Sequence, residues 1–197
     1  MKKILFMAAM LLSATSIFAQ HETGSFNIQP KVGMNIASVT ETENSNPRID
    51  LVVGAELEYQ VTDLFSLSGG VLYSMQGVKT KDDDYNKGTI KMDYINIPIL
   101  ANFYVAKNFA IKFGVQPAFN VNAKGIGLDE GEPIKTDIEG AKSFDFSIPV
   151  GVSYEFKNFQ LDARYNWGLT KIVPNDGDYY KRKNSVFQIT LGYKINL

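Results

Sequence analysis

Apolar residues recur at every second position over long stretches of this chain, and that period limits what it can fold into. The last segment is the clearest. Phe187, Ile189, Leu191, Tyr193, Ile195 and Leu197 alternate with Gln188, Thr190, Gly192, Lys194 and Asn196. A period of two makes a strand with one apolar and one polar face. The same alternation runs through residues 26–36, 49–59, 65–75, 95–105, 109–121, 144–156 and 159–169, so eight strands are expected. Residues 60–64, 106–108 and 157–158 make short connections, whereas 37–48, 76–94, 122–143 and 170–186 are long and polar. Short turns alternating with long loops predict an all-β fold: an eight-stranded antiparallel up-and-down transmembrane β-barrel. Chain ends fray unless tied down. The apolar last strand is therefore expected to pair with the first and remove both sheet edges.

A barrel can turn its apolar face inward or outward. Here that face carries no Asp, Glu, Lys or Arg in any of the segments. An Arg or Lys on a lipid-facing strand costs about 2–4 kcal/mol at the bilayer midplane. The many Phe, Ile, Leu and Tyr side chains would also overfill the interior of a barrel this narrow. The polar face carries Gly33, Gly54, Gly70, Gly114, Gly151, Gly168 and Gly192. Glycine weakens a strand and needs a reason; room on the concave side of a tight barrel is the reason expected. Aromatic residues sort to both ends. Tyr59, Phe65, Phe103, Tyr104, Phe109, Phe156, Phe159 and Tyr193 lie toward the short turns. Tyr73, Tyr94, Phe119, Phe144, Trp167 and Phe187 lie toward the long loops. Two such belts form the aromatic girdles of a barrel in a bilayer.

The polar face also carries Lys31, Asp50, Glu56, Glu58, Lys112, Asp145, Glu155, Asp162, Arg164 and Lys194. Eight strands leave an interior just wide enough for side chains, and a buried charge needs a partner. These residues are expected to form an interior polar network. Arg164 is its expected hub, because a planar guanidinium can hold carboxylates bidentately. Two alternatives stay open. The same charges could line a narrow channel for ions or small solutes. With the faces exchanged, the chain would be a soluble periplasmic lipid-binding barrel of the lipocalin type.

The start of the chain reads as an export signal. Lys2 and Lys3 precede the apolar run ILFMAAMLL, and Ala19 offers a small residue for cleavage. Residues 1–19 are thus expected to be a signal peptide and 20–197 the barrel domain, exported across the inner membrane. The chain has no Cys, so neither a lipid anchor nor a disulfide is available. A net charge of −1 points away from nucleic acid. The single His is His21, beside the cleavage point, which excludes a Ser–His or Asp–His arrangement in the barrel. No phosphate-binding glycine loop or Cys/His metal spacing appears. No enzyme, cofactor or metal is expected. KDDDYNKG (81–88), LDEGEPIKTDIE (128–139) and PNDGDYY (174–180) read as solvated loops, the first two acidic and without a complete calcium-ligand spacing. Partner binding would reside there. Lys-Asn-Phe occurs twice at short turns, in FYVAKNFAIKFG and YEFKNFQLDARY.

Four stretches carry a family likeness: PKVGMNIASV, YINIPILANFYV, YEFKNFQLDARYNWGLTKI and VFQITLGYKINL. Their order and spacing resemble the PorT-like outer-membrane β-barrel family of Bacteroidetes over essentially the whole mature chain. The resemblance implies an outer-membrane location, contact with lipid and lipopolysaccharide, and insertion by the barrel-assembly machinery. That machinery typically reads a C-terminal strand ending in an aromatic residue, whereas this chain ends in Leu197. The role expected is structural or surface-interactive, with a protein partner, extracellular or periplasmic, that the sequence leaves unidentified.

Overall fold

A computed structural model describes residues 22–40, 45–80, 88–129, 132–138, 141–171 and 182–197. The expected signal peptide, His21, the cluster 174–180 and most of the cluster 81–88 lie outside the described residues. Among the described residues there are eleven strands: β1 (Phe26–Val39), β2 (Ser45–Thr62), β3 (Phe65–Thr80), β4 (Thr89–Asn96), β5 (Ile99–Ala106), β6 (Phe109–Asp129), β7 (Glu132–Asp137), β8 (Phe144–Phe156), β9 (Phe159–Gly168), β10 (Asn184–Tyr193) and β11 (Ile195–Asn196). Every pairing is antiparallel, and the pairing of β10 with β1 closes the sheet into a ring.

The count of eight expected from the alternation differs from eleven for local reasons. β4 and β5 occupy one position in the ring, broken at Ile97 and Pro98. Proline has no N–H to give the ladder. The Pro98 carbonyl still accepts from Gly70 N–H at 3.1 Å, and Ile97 N–H donates to the Pro117 carbonyl at 2.9 Å. β10 and β11 are likewise one position, interrupted at Lys194, whose N–H donates to the Asn158 carbonyl at 2.7 Å. β7 pairs only with β6. It occupies part of 128–139, which reads as loop in the sequence. Thr89–Tyr94 also reads as loop but lies in β4. Leu197 is tied to the start of β1, its N–H donating to the Phe26 carbonyl at 2.9 Å.

Two of the turns use the repeated Lys-Asn-Phe differently. Asn108 takes the left-handed conformation in the first, with φ 66°, and Lys157 takes it in the second, with φ 56°. The β5–β6 pairing carries an irregularity between Tyr104 and Ala106, while β8–β9 pairs regularly to Phe156 and Phe159. The bulge shifts by one residue which position must turn left-handed.

Crowding in the lumen is the reason at Gly192, where an added Cβ would press on the inward Lys31 side chain, but other inward glycines have a different reason from the one expected. A Cβ on Gly33 would run into the carbonyl oxygen of Ile189, and one on Gly114 into that of Ile99. The neighbouring strand's backbone, rather than crowding in the lumen, excludes a side chain there.

Candidate functional site

The outward positions are apolar and exposed through the middle of the ring: Val32 and Met34 on β1, Val53 on β2, Val71 on β3, Val115 on β6, Val150 on β8 and Leu191 on β10. The inward positions are polar and buried. This inverts a water-soluble barrel and makes the interior the place where chemistry could reside.

From the turn end upward, the interior is layered. Register climbs around a closed, tilted sheet, so side chains at one level are offset by about one residue per strand beyond their pairing partners. At the lowest level, Lys194 Nζ pairs with Glu58 at 3.0 Å and with Glu155. Tyr104 donates its hydroxyl to Glu58 at 2.6 Å, and Gln29 donates to the same carboxylate at 2.6 Å. Ser66 also donates to Glu58.

The next level is held by Arg164, whose side chain is 1% exposed. Its Nε and Nη2 both donate to Asp162, at 2.8 and 3.0 Å, and Nη2 also reaches Glu56 at 2.8 Å. Lys31 Nζ pairs with Glu56 at 2.6 Å and lies 3.5 Å from Asp162. Lys112 pairs with Asp162 at 2.8 Å. Gln160 links the two levels. Its carbonyl accepts from Lys31 and Lys112, and its amide donates to Glu155. Lys31, Lys112, Arg164 and Lys194 face Glu56, Glu58, Glu155 and Asp162, so the cluster contains equal numbers of cations and anions.

Above Arg164 lies a level of side-chain amides: Asn96, Gln116, Asn166 and Gln188, all buried. Above that, Asn184 donates to Asp145 at 2.8 Å and to the Tyr94 hydroxyl at 3.2 Å. Val39, Val78, Met92, Tyr94 and Ala118 then form a small apolar cluster inside the loop end. Asp50, expected in the network, is half-buried nearer the loop end and pairs with Arg48.

Tyr94 and Tyr104, placed on the rims by their position along the strands, instead turn inward and are buried. Both hold interior hydrogen bonds. Parity already distinguished Tyr104, which is out of phase with Phe103 and Val105. Gln160 lies on the same inward parity as Asp162 and Arg164, and Tyr94 on that of Asn96, so both were findable; the register shift beside Tyr94 falls on β6, where Val121 is the extra residue, and leaves the phase of β4 unchanged. Among the other aromatics, Tyr59, Phe103, Phe156, Phe159, Tyr193, Trp167 and Phe187 are exposed, while Phe65, Phe109 and Tyr73 are half-buried on the outer wall. Phe26–Tyr59, Phe65–Phe103 and Phe159–Tyr193 pack ring to ring toward the turn end, with centroids 4.5, 4.9 and 5.2 Å apart. Phe119–Phe144 does so toward the loop end at 5.6 Å.

Among the described residues no group of His, Cys, Asp and Glu is arranged to hold a metal ion. No described helix is long and apolar enough to cross a membrane, which says nothing of a crossing by strands.

The sequence profile of the family described as "Outer membrane protein beta-barrel domain" matches residues 18–174. No curated protein sequence matches the chain. Among solved structures, the chain is similar to Ail, the attachment invasion locus protein of Yersinia pestis, determined in complex with the heparin analogue sucrose octasulfate. That likeness has 11% identity and a TM-score of 0.52, over 88% of this chain and 100% of Ail. Neisserial surface protein A is similar at 14% identity and a TM-score of 0.50, over 86% of this chain and 97% of that one. At such identities the likeness is one of fold.

Proposed function

The chain belongs to the family of outer-membrane protein β-barrel domains, and from that membership we propose an integral outer-membrane barrel whose interior is filled rather than open. Its place is the outer membrane. In this reading all eight ring positions span the bilayer, residues 1–19 are removed as a signal peptide, and the aromatic pairs at both ends sit at the two interfaces as girdles. The PorT-like branch of Bacteroidetes remains the proposed finer affiliation, with lipid, lipopolysaccharide and the assembly machinery as the partners it brings.

One observation carries the filled reading. The ion-pair levels contain matched charges, each bonded to partners on other strands, and they cross the lumen from β1 and β2 to β6, β8 and β9. A conduction path needs sites that an ion can enter and leave. Here every carboxylate of the cluster already holds a cation, and breaking a buried pair is costly. The role supported is a rigid membrane scaffold that presents its loop end. There β6 continues past Phe119, where its pairing with β8 ends, and pairs with β4 and then β7. This taller wall is where an interaction with a surface partner is proposed.

Planar-bilayer recording with the purified, refolded chain tests the reading. The expected result is a protein that shifts its gel mobility on heating, as a folded barrel does, and carries no steady conductance. A uniform conductance from the unmodified chain would replace the scaffold reading with the channel reading.

A further inference from the structure

On the outside of the ring, four lysines gather where the apolar wall gives way to the loop end. The pairings set out the outward face there in rows. Tyr73, Ile95, Phe119 and Phe144 make one row across β3, β4, β6 and β8. The next row up holds Asp93 beside Asn122, and the one above it Lys91 beside Lys124. Lys79 and Lys135 end the row above that, on β3 and β7, with Thr89 and Ile126 between them. Met92, between Asp93 and Lys91, points into the apolar cluster inside, which makes its two neighbours outward. Lys79, Lys124 and Lys135 are exposed, and Lys91 is half-buried.

Lys91 and Lys124 stand directly opposite each other on neighbouring strands. Like charges so placed repel, because the Cβ atoms of such a pair are only about 4.5–5.5 Å apart. The carboxylates nearby do not relieve them. Asp93, 7% exposed, already accepts from the Tyr73 hydroxyl at 3.0 Å and from the Asn122 amide at 2.9 Å. Asp137 lies opposite Lys124 in the register. Even so, among the described residues none of the four lysines is in an ion pair with it or with any other carboxylate. Gly77, opposite Lys91 on β3, adds no side chain to the row. Four cations against two carboxylates leave the patch positive, so the partner it fits is an anion.

Height says where that anion lies. Lys91 is four residues along β4 from Ile95 in the aromatic row, about 10 Å of height on a tilted strand. Aromatic side chains sit at the bilayer interface, and lysine stems lie along apolar surface with the ammonium among the headgroups. The four lysines face sideways from the wall rather than over the mouth of the ring, so a neighbouring lipid meets them first. In the outer leaflet of an outer membrane that lipid is lipopolysaccharide, whose membrane-proximal sugars carry phosphates. We infer that Lys91 and Lys124, flanked by Lys79 and Lys135, form a docking site for the phosphorylated sugar headgroup of one lipopolysaccharide molecule. Both ammonium groups donate to a phosphate, in the place that a divalent cation takes between neighbouring lipopolysaccharides. This assigns residues to the lipid contact proposed above and rests on the outer-membrane reading, which the heat-dependent mobility shift tests separately.

The test uses the full mature chain refolded in detergent, with native mass spectrometry counting retained lipid A, the phosphorylated anchor of lipopolysaccharide. The unmodified chain should bind bisphosphorylated lipid A about tenfold more tightly than the same lipid stripped of its phosphates, as expected for hydrogen bonds to a charged group. That preference should survive EDTA. Lys91→Gln with Lys124→Gln should abolish it while leaving the heat-dependent mobility shift in place. Lys171→Gln with Lys183→Gln, an equal change of charge on the β9–β10 side of the loop end, should leave the preference as it was. Equal losses in the two double variants would reduce the effect to net charge and overturn the site. A preference that vanishes in EDTA would assign the phosphates to divalent ions instead of the lysines. An unmodified, folded chain that binds both lipids alike would overturn the site outright.

Discussion

Two sections of the same wall follow opposite rules. Through the middle of the ring, β1 points Lys31 and Asn35 inward and Val32 and Met34 outward; nearer the loop end the same strand points Ala37 and Val39 inward and Ser38 outward. β3 repeats the change, from Ser66 and Ser68 inside to Val78 inside, with Lys79 outside. The sheet is continuous across the change, and so is the alternation of burial. What changes is the solvent. Where lipid surrounds the wall, apolar groups gain nothing by hiding, and polar groups must find partners inside. Where water surrounds it, burying Val39, Val78 and Met92 is favourable, at about 25 cal/mol per Å² of apolar surface removed. On the reading proposed above, the inversion on β1 and β3 is where the membrane-facing section of those strands would end.

The comparison can be broken most forcefully at its polar extreme. Arg164→Met would leave Glu56 and Asp162 without their shared guanidinium, and the expected loss of stability is about 3–5 kcal/mol. Urea titration of the lipid-embedded barrel, read by tryptophan emission, measures it; a loss below about 1 kcal/mol would mean that Lys31 and Lys112 alone neutralise the carboxylates. Next comes the outer wall. Val115→Arg should cost about 2–4 kcal/mol, whereas Ser38→Arg, beyond the boundary, should cost about 1 kcal/mol or less. Equal costs for the two would erase the distinction between the sections. A smaller effect than that of Val115→Arg belongs to the apolar interior of the loop end. Met92→Ala should cost about 2 kcal/mol, the low end for a buried methionine, because the cluster around it is small and can relax. The same titration reads it, and a neutral outcome would show that this end is not packed as a core.

Much of this was legible beforehand. Alternation alone located every ring position, because the side-chain period of a strand is a local property. The absence of charge on one face told which side meets lipid. Inward parity assigned Lys31, Glu56, Lys112, Asp162 and Arg164 to the interior without any knowledge of the register. Three things were not legible. β7 has no clear alternation of its own in Glu132–Asp137 and forms by pairing with the extended end of β6. The inversion at the loop end looked like the fading of strands into polar loops. Tyr94 looked like a rim residue because 76–94 reads as a polar loop, which hid the strand β4 and the parity that Tyr94 shares with Asn96.

The sequence by itself determined that the chain forms strands, that those strands close, and which side chains share the interior. These follow from period, charge placement and the apolar last strand, all of which act along the chain. Which cation meets which carboxylate or amide was decided only by the tertiary structure. Glu56 and Arg164 are 108 residues apart, and Lys31 and Gln160 are 129 apart. Such pairs are set by the stagger of strands around a closed ring, a property of the whole sheet that no single segment carries.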